Sequence, residues 1–80
     1  MSNDTYHSNS AIIHLTKREK EILALIVEGY PSKRVAEMLF VSKRTVDFHL
    51  DNIYSKLQVT NRMQALQRAT RLGLLENMAM

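Results

Sequence analysis

The spacing of apolar side chains between residues 32 and 57 predicts two consecutive helices. Val35, Ala36 and Leu39 recur with the 3.6-residue period of a short helix that buries one face. Ser42 follows closely and is predicted to cap the next helix, because its hydroxyl accepts from backbone N–H groups that a helix start leaves unpaired. The second helix buries side chains spaced by four, three and four residues: Val46, Leu50, Ile53 and Leu57.

The face of this second helix opposite the buried stripe is polar and free of the core. Two helices joined by so short a break, at about residues 32–51, describe a helix-turn-helix motif. A helix of that diameter fits the DNA major groove, so the pattern favours DNA binding as the leading function.

Capping signals predict a further helix before this pair. Thr16 and Glu19 have the spacing of a capping box, in which each side chain accepts from the other residue's backbone N–H. The helix ends at Gly29, since glycine readily takes the left-handed conformation of a helix end. Pro31 is expected near the first position of the next helix, where its missing N–H does no harm.

A fourth helix is predicted at about residues 61–72, with Thr60 as its cap. Its inward side chains are Ala65, Leu66, Ala69 and Leu72. The fold class is therefore all-α, with four helices in one domain at residues 11–76 and a flexible polar arm at residues 1–10.

Composition narrows the function classes. Eighty residues make one small domain, and 45% hydrophobic residues support a core. The absence of cysteine excludes disulfides and thiolate metal sites. No apolar run reaches the roughly 18 residues that span a bilayer, and the polar N-terminus is unlike a signal peptide, so a cytoplasmic protein without membrane contact is expected. The net charge of +3 is weak evidence by itself, but cations lie on both sides of the break, where a phosphate backbone would pass. They are Lys33, Arg34, Lys43 and Arg44.

Three segments of the chain together resemble the LuxR-type (LuxR/FixJ/NarL) DNA-binding domain. They are LTKREKEILALIVEG, VAEMLFVSKRTVDFHLDNIYSKL and NRMQALQRATRLGLL. The resemblance implies a domain of four helices that places the third in the major groove, regulates transcription and often pairs two protomers through the fourth. Most relatives carry this domain behind another one, whereas Met1 and the polar arm favour a stand-alone member over an excised C-terminal piece.

Three positions depart from the family pattern. Asp47 stands where lysine is frequent, and Arg34 stands where an acidic residue is frequent. Gln58 replaces a common glycine, so a residue with a side chain is expected at positive φ at a cost of roughly 1 kcal/mol. These departures bear on the DNA sequence recognised and leave the fold unchanged.

The predicted DNA contacts fall into two groups. The side chains expected at phosphates are Ser32, Lys33, Lys43, Arg44 and Lys56. Those expected at base edges are Thr45, Asp47, Phe48, Asp51 and Asn52.

Several of these side chains have a second interpretation. Asp47 and Asp51 either accept from cytosine N4, or lower non-specific affinity as carboxylates near phosphates, or only add solubility. A further alternative for Asp51 is weak i,i+4 pairing with helix neighbours such as Ser55. Phe48 either contacts a thymine methyl, packs on a partner, or is tucked against the first helix. Glu19 is expected to pair with Arg62 across the packed helices.

Catalysis and metal binding are not expected. His49 and Asp51 are two residues apart on one helix and point roughly 200° apart, so no Ser-His-Asp arrangement forms. The three histidines are far apart in sequence and no cysteine assists them. No cofactor and no enzymatic activity are predicted.

Assembly is predicted through the outer face of the fourth helix. The expected interface residues are Met63, Gln67, Thr70, Arg71 and Leu74. The expected partners are double-stranded DNA and a second copy of the chain on it, with RNA polymerase or a larger LuxR-type regulator as further partners. The rival hypothesis is a protein-interaction module that heterodimerises with such a larger regulator and antagonises it.

Overall fold

The computed structural model describes residues 13–74. Within that range it contains four α-helices and no β-strand, which confirms the all-α prediction. In chain order the helices are α1 (Lys17–Val27), α2 (Ser32–Leu39), α3 (Lys43–Leu57) and α4 (Arg62–Arg71). The predicted arm at residues 1–10 and the outer ends of the predicted domain, residues 11–12 and 75–76, lie outside the described residues.

The first helix begins with the predicted capping box. Thr16 Oγ1 accepts from the backbone N–H of Glu19 at 3.1 Å, and Glu19 Oε1 accepts from the backbone N–H of Thr16 at 2.9 Å. Gly29 follows the helix with φ +104°, as the sequence predicted. Open space surrounds the position of its missing Cβ, so the backbone conformation rather than crowding requires glycine there.

One hydrogen-bonding pattern ends α1, α2 and α3. A residue with left-handed backbone donates to the carbonyl three residues earlier, and the next residue donates to the carbonyl five residues earlier. The left-handed residues are Gly29, Phe40 and Gln58. Positive φ at Gln58 confirms the sequence prediction, whereas Phe40, with the same φ of 60°, was not predicted to be left-handed.

The starts of two helices differ slightly from the prediction. Pro31 is the N-cap of α2, immediately before the first helical residue. The prediction that Thr60 caps α4 was wrong, because Asn61 takes the extended cap conformation and its side chain accepts from the N–H of Gln64 at 2.9 Å. Thr60 instead donates from both its N–H and its hydroxyl to Gln64 Oε1 at 3.0 Å.

Helix α3 packs against each of the other three helices, so the core fixes its orientation from several sides. Its buried side chains are the predicted Val46, Leu50, Ile53 and Leu57. On the other helices Leu39, Leu66 and Leu72 are only partly buried at the core's edge. Each fully buried Val, Leu or Ile side chain stabilises the fold by about 1.5–3 kcal/mol. This is a large share of the net free energy of unfolding of a small domain.

Candidate nucleic-acid interface

The exposed surface of α3 carries every side chain that the sequence predicted at base edges. The buried stripe points one way, and at 100° per residue Phe48 lies near the middle of the opposite face. Thr45 and Asn52 lie to one side of it, and Asp51 and Asp47 lie to the other. The five positions span about 10 Å of helix, so a single groove can hold them together.

The start of α3 is fixed by its cap. Ser42 Oγ accepts from the backbone N–H of Thr45 at 3.0 Å, which confirms the predicted cap. The two hydroxyls, Ser42 Oγ and Thr45 Oγ1, are also 3.0 Å apart and hydrogen bonded. The side chain of Thr45 is therefore oriented by the cap before any ligand arrives.

The first turn of α3 contains two exposed cations and no acidic residue. Lys43 and Arg44 stand where the helix dipole is positive, a position that disfavours cations. Helix stability therefore does not account for this pair. Backbone N–H groups and the helix dipole act together with cationic side chains at such a position, which can therefore accommodate an anion.

Lys43 is held by an acidic neighbour one turn later. Its Nζ donates to Asp47 Oδ2 at 2.8 Å, and both side chains are about half exposed. Such exposed i,i+4 pairs stabilise a helix by only about 0.3–0.5 kcal/mol, and the order with lysine first is the weaker one. This pair was not predicted from sequence, although its i,i+4 spacing is typical of a helical ion pair.

Further predicted phosphate contacts lie at the start of α2. Ser32 is the first residue of that helix and is half-buried, and Lys33 is exposed. Arg34 donates to Glu37 Oε1 at 3.1 Å in an exposed i,i+3 pair. The starts of α2 and α3 thus both present unpaired backbone N–H groups next to cationic side chains.

Lys56, also predicted at phosphates, is engaged elsewhere in this structure. Its Nζ donates to Glu19 Oε1 at 2.7 Å, which ties the last turn of α3 to the start of α1. The predicted pairing of Glu19 with Arg62 was wrong. Arg62 instead donates from Nη1 to the backbone carbonyl of Tyr30 at 3.1 Å, so it holds the α1–α2 turn against α4.

The Glu19 carboxylate is only 3% exposed, yet it is held in its ionised form. Burial alone would raise its pKa. The hydrogen bond from Lys56, the Thr16 N–H, and the charges of Lys56 and His49 outweigh burial and lower the pKa of Glu19 below its ordinary 4.5. The pair is thus part of the scaffold that sets the angle of α3.

Both phenylalanine side chains are exposed. Phe48 is 61% exposed, which excludes the interpretation that it is tucked against the first helix. Its ring meets that of half-buried His49 edge to face, with centroids 5.7 Å apart. Phe40, in the break between α2 and α3, is 94% exposed and was not singled out from sequence.

The residues predicted at the dimer interface lie on the outer face of α4 and, for Leu74, just after its end. Met63 is 66% exposed, and Gln67, Thr70 and Arg71 are exposed, while Leu74 is half-buried. A shallow and mainly apolar depression lies on this face, lined by Leu66, Gln67, Thr70 and Arg71. We call the five predicted interface residues the α4 strip.

Other kinds of site were sought in residues 13–74. No cluster of three or more histidine, aspartate or glutamate side chains there could hold a metal ion. Among the helices of the same range, none combines the length and hydropathy that crossing a bilayer requires.

Four helices, with α2 and α3 joined by three residues and α3 exposing a long polar face, define a helix-turn-helix domain. Residues 14–69 match the family described as bacterial regulatory proteins, luxR family. The match covers more than half of the chain, and the chain belongs to that family. The resemblance noted from sequence is thereby confirmed.

The similar curated proteins are named as regulatory proteins, two of them as regulators of transcription. The chain is 53% identical over 57 residues to the transcriptional regulatory protein LiaR of Bacillus subtilis, covering 71% of this chain and 27% of LiaR. It is 48% identical over 63 residues to the transcriptional activator protein AnoR of Acinetobacter nosocomialis, covering 79% of this chain and 26% of AnoR. It is 41% identical over 73 residues to the oxygen regulatory protein NreC of Staphylococcus aureus, covering 91% of this chain and 34% of NreC.

A solved structure shares the fold. The structure of the transcription factor GerE superposes with a TM-score of 0.68 at 42% sequence identity, covering 74% of this chain and 88% of the GerE chain. By contrast, the chain spans only about a quarter to a third of the length of the curated relatives named above. What those whole proteins do therefore reaches this chain only as a proposal.

Proposed function

We propose that this domain binds double-stranded DNA with α3 in the major groove and thereby regulates transcription. The observation that carries the proposal is the exposed polar face of α3 in a chain of the luxR family. This face begins with two cations at the helix start, where the helix dipole disfavours positive charge. Because α3 packs on all three other helices, the scaffold presents that face rigidly.

The proposed contacts divide by position. Ser32, Lys33, Lys43 and Arg44, at the starts of α2 and α3, contact phosphates through side chains and helix N-termini. Base edges are contacted from the face of α3 by Thr45, Asp47, Phe48, Asp51 and Asn52. Lys56 is a secondary phosphate contact in this proposal, since its ammonium already neutralises Glu19.

The proposed active form is a homodimer on DNA, paired through the α4 strip. The strip is exposed, of mixed polarity and slightly concave, which suits a small contact between copies. Such a contact falls well below the roughly 1,200–2,000 Å² of a stable interface. DNA therefore has to hold both copies close together for the contact to form.

Binding to a short labelled duplex of random sequence, followed by fluorescence anisotropy over a range of salt concentrations, tests the central proposal. Affinity is expected to fall by orders of magnitude between about 50 and 200 mM salt, because phosphate contacts release counterions. Weak binding without salt dependence would contradict DNA binding. In vitro selection from random duplexes then identifies the preferred site.

A second candidate function is antagonism of a larger luxR-family regulator through the α4 strip. The Lys43–Asp47 ion pair favours it, because a neutralised cation at the start of α3 lowers the domain's own affinity for DNA. A domain that pairs with such a regulator and fails to shift DNA at low salt would support this candidate. RNA polymerase is a further proposed partner of the DNA-bound form.

A further inference from the structure

The ion pair at the start of α3 affects both groups of proposed DNA contacts. Lys43 belongs to the phosphate contacts and Asp47 to the base contacts, and the two side chains are joined at 2.8 Å. Both lie on the same flank of the exposed face of α3, four residues apart. While the pair persists it has no net charge, so it releases little or no counterion when it approaches a phosphate.

We propose that Asp47 is the specificity-determining residue of this domain and acts by partner exchange. On random DNA, Asp47 keeps Lys43 neutralised and weakens binding. On the preferred site, the carboxylate of Asp47 takes the N4 amino group of a cytosine in the major groove as its donor instead, and Lys43 turns to a phosphate. This inference rests on the proposed placement of α3 in the major groove.

The energetic balance favours such an exchange only at the right base. An exposed i,i+4 pair with lysine first is weak, so little is lost when it opens. A carboxylate that faces guanine O6 or N7, or a thymine O4, meets another acceptor and gains nothing, and at adenine the N6 donor lies beside the N7 acceptor, which repels the second carboxylate oxygen. Cytosine offers a donor at that edge, and the release of Lys43 adds a phosphate contact at the same time.

A double-mutant cycle on a random duplex tests the neutralisation step. Asp47→Asn is expected to raise affinity about two-fold beyond the effect of the charge change alone, because an exposed i,i+4 pair can withhold no more than its own small stability. In the Lys43→Ala background this extra gain should be absent, because only screened long-range charge remains. Equal shifts in both backgrounds would overturn the proposal.

Glu28→Gln is the matched control. Glu28 is exposed at the C-terminal end of α1, outside the proposed contacts; its change removes the same charge, and it takes part in no ion pair among residues 13–74. Its effect should be small and identical with and without Lys43. If wild-type protein shows no salt-dependent DNA binding at all, the proposed function fails; if it binds normally and the Asp47 cycle is additive, only this inference fails.

In vitro selection from random duplexes tests the exchange step. Wild-type protein is expected to enrich a cytosine at one position of each half-site, and Asp47→Asn should lose that preference while Glu28→Gln keeps it. A cytosine retained by the Asp47→Asn variant, or none selected by the wild type, would overturn the exchange. Thermal unfolding of each variant confirms that the changes, all at exposed or half-exposed positions, leave the fold intact.

Discussion

The Nζ of Lys56 lies 2.7 Å from Oε1 of Glu19, and this contact joins the end of α3 to the start of α1 across 37 residues of sequence. The same Oε1 accepts from the backbone N–H of Thr16 in the capping box. One buried carboxylate oxygen therefore both starts α1 and fixes α3. Loss of the Glu19 charge should therefore lower the stability of the fold directly, and should affect DNA binding only through the position of α3.

Glu19→Gln should destabilise the fold by about 1–3 kcal/mol at neutral pH, the range for a lost hydrogen bond to a charged group. The folded-state pKa of Glu19 is lowered below 4.5, so its stabilisation is complete above that pH and is lost as pH falls through the folded-state pKa. The difference in unfolding free energy between wild type and variant should therefore shrink in acid, as measured by urea denaturation from pH 7 to 3.

Glu21→Gln is the control for this prediction. Its carboxylate also pairs with a cation, Arg18, but both side chains are 42% exposed. An exposed pair is worth little, so we expect a change below about 0.5 kcal/mol. A Glu19→Gln penalty that stays constant down to pH 3 would show that shape rather than charge matters at this position.

Substitution of the left-handed residues Gln58 and Phe40 by glycine is expected to stabilise the fold, in contrast to Glu19→Gln. A residue with a side chain in the left-handed conformation destabilises the folded state by about 1–2 kcal/mol. Glycine removes this strain, but it lowers stability by about 0.5–1 kcal/mol because the unfolded chain gains conformational entropy. Gln58→Gly should therefore raise the unfolding free energy by roughly 0.5–1 kcal/mol. Phe40→Gly should do the same, because its ring is 94% exposed and contributes little burial.

Thermal and urea unfolding measure both changes, and alanine at each position serves as the control. Alanine removes the side chain but retains the Cβ that makes positive φ unfavourable, so no gain is expected from it. Equal stabilisation by alanine and glycine would mean that backbone strain is not the cause.

Features that depend on residues close together in the sequence could be predicted, whereas features that depend on long-range packing could not. The Ser42 cap and the Thr16–Glu19 box follow from local capping patterns, and the apolar stripes of α2, α3 and α4 follow from helical periodicity. These were predicted, although Leu39, Leu66 and Leu72 are only partly buried. The partner of Glu19 was not predicted, because Lys56 and Arg62 are both cationic and only the packing angle of α3 on α1 chooses between them. Thr60 and Asn61 are adjacent polar residues, and either could cap α4. The backbone dihedral angles decide between them, and the sequence does not reveal those angles.

Some missed features did have a local signal. Lys43 and Asp47 have the i,i+4 spacing of a helical ion pair, and the pair was overlooked because both residues were assigned to DNA separately. Positive φ at Gln58 was predicted only because the family commonly has glycine there. Phe40 ends α2 in the same way, and its side chain gives no indication of it.

Removal of the cations at the start of α3 should weaken DNA binding without affecting the fold. Arg44→Ala is expected to reduce affinity for all duplexes and to lower the slope of log affinity against log salt by about 0.9, one counterion for B-DNA. Lys20→Ala, an exposed cation on α1, is the control and should change neither. An unchanged slope in anisotropy titrations of Arg44→Ala would remove the start of α3 from the interface.

The last prediction concerns assembly through the α4 strip. Because the strip is small and mixed, the free protein should be monomeric or weakly dimeric at micromolar concentration and should dimerise on DNA with half-sites about one helical turn apart. Gln67→Glu places like charges opposite each other at a two-fold contact, so cooperative binding to the paired site should be lost while half-site binding survives. Lys20→Gln changes the net charge equally on α1 and should preserve cooperativity. A tight dimer without DNA in analytical ultracentrifugation, insensitive to Gln67→Glu, would place the interface outside the α4 strip.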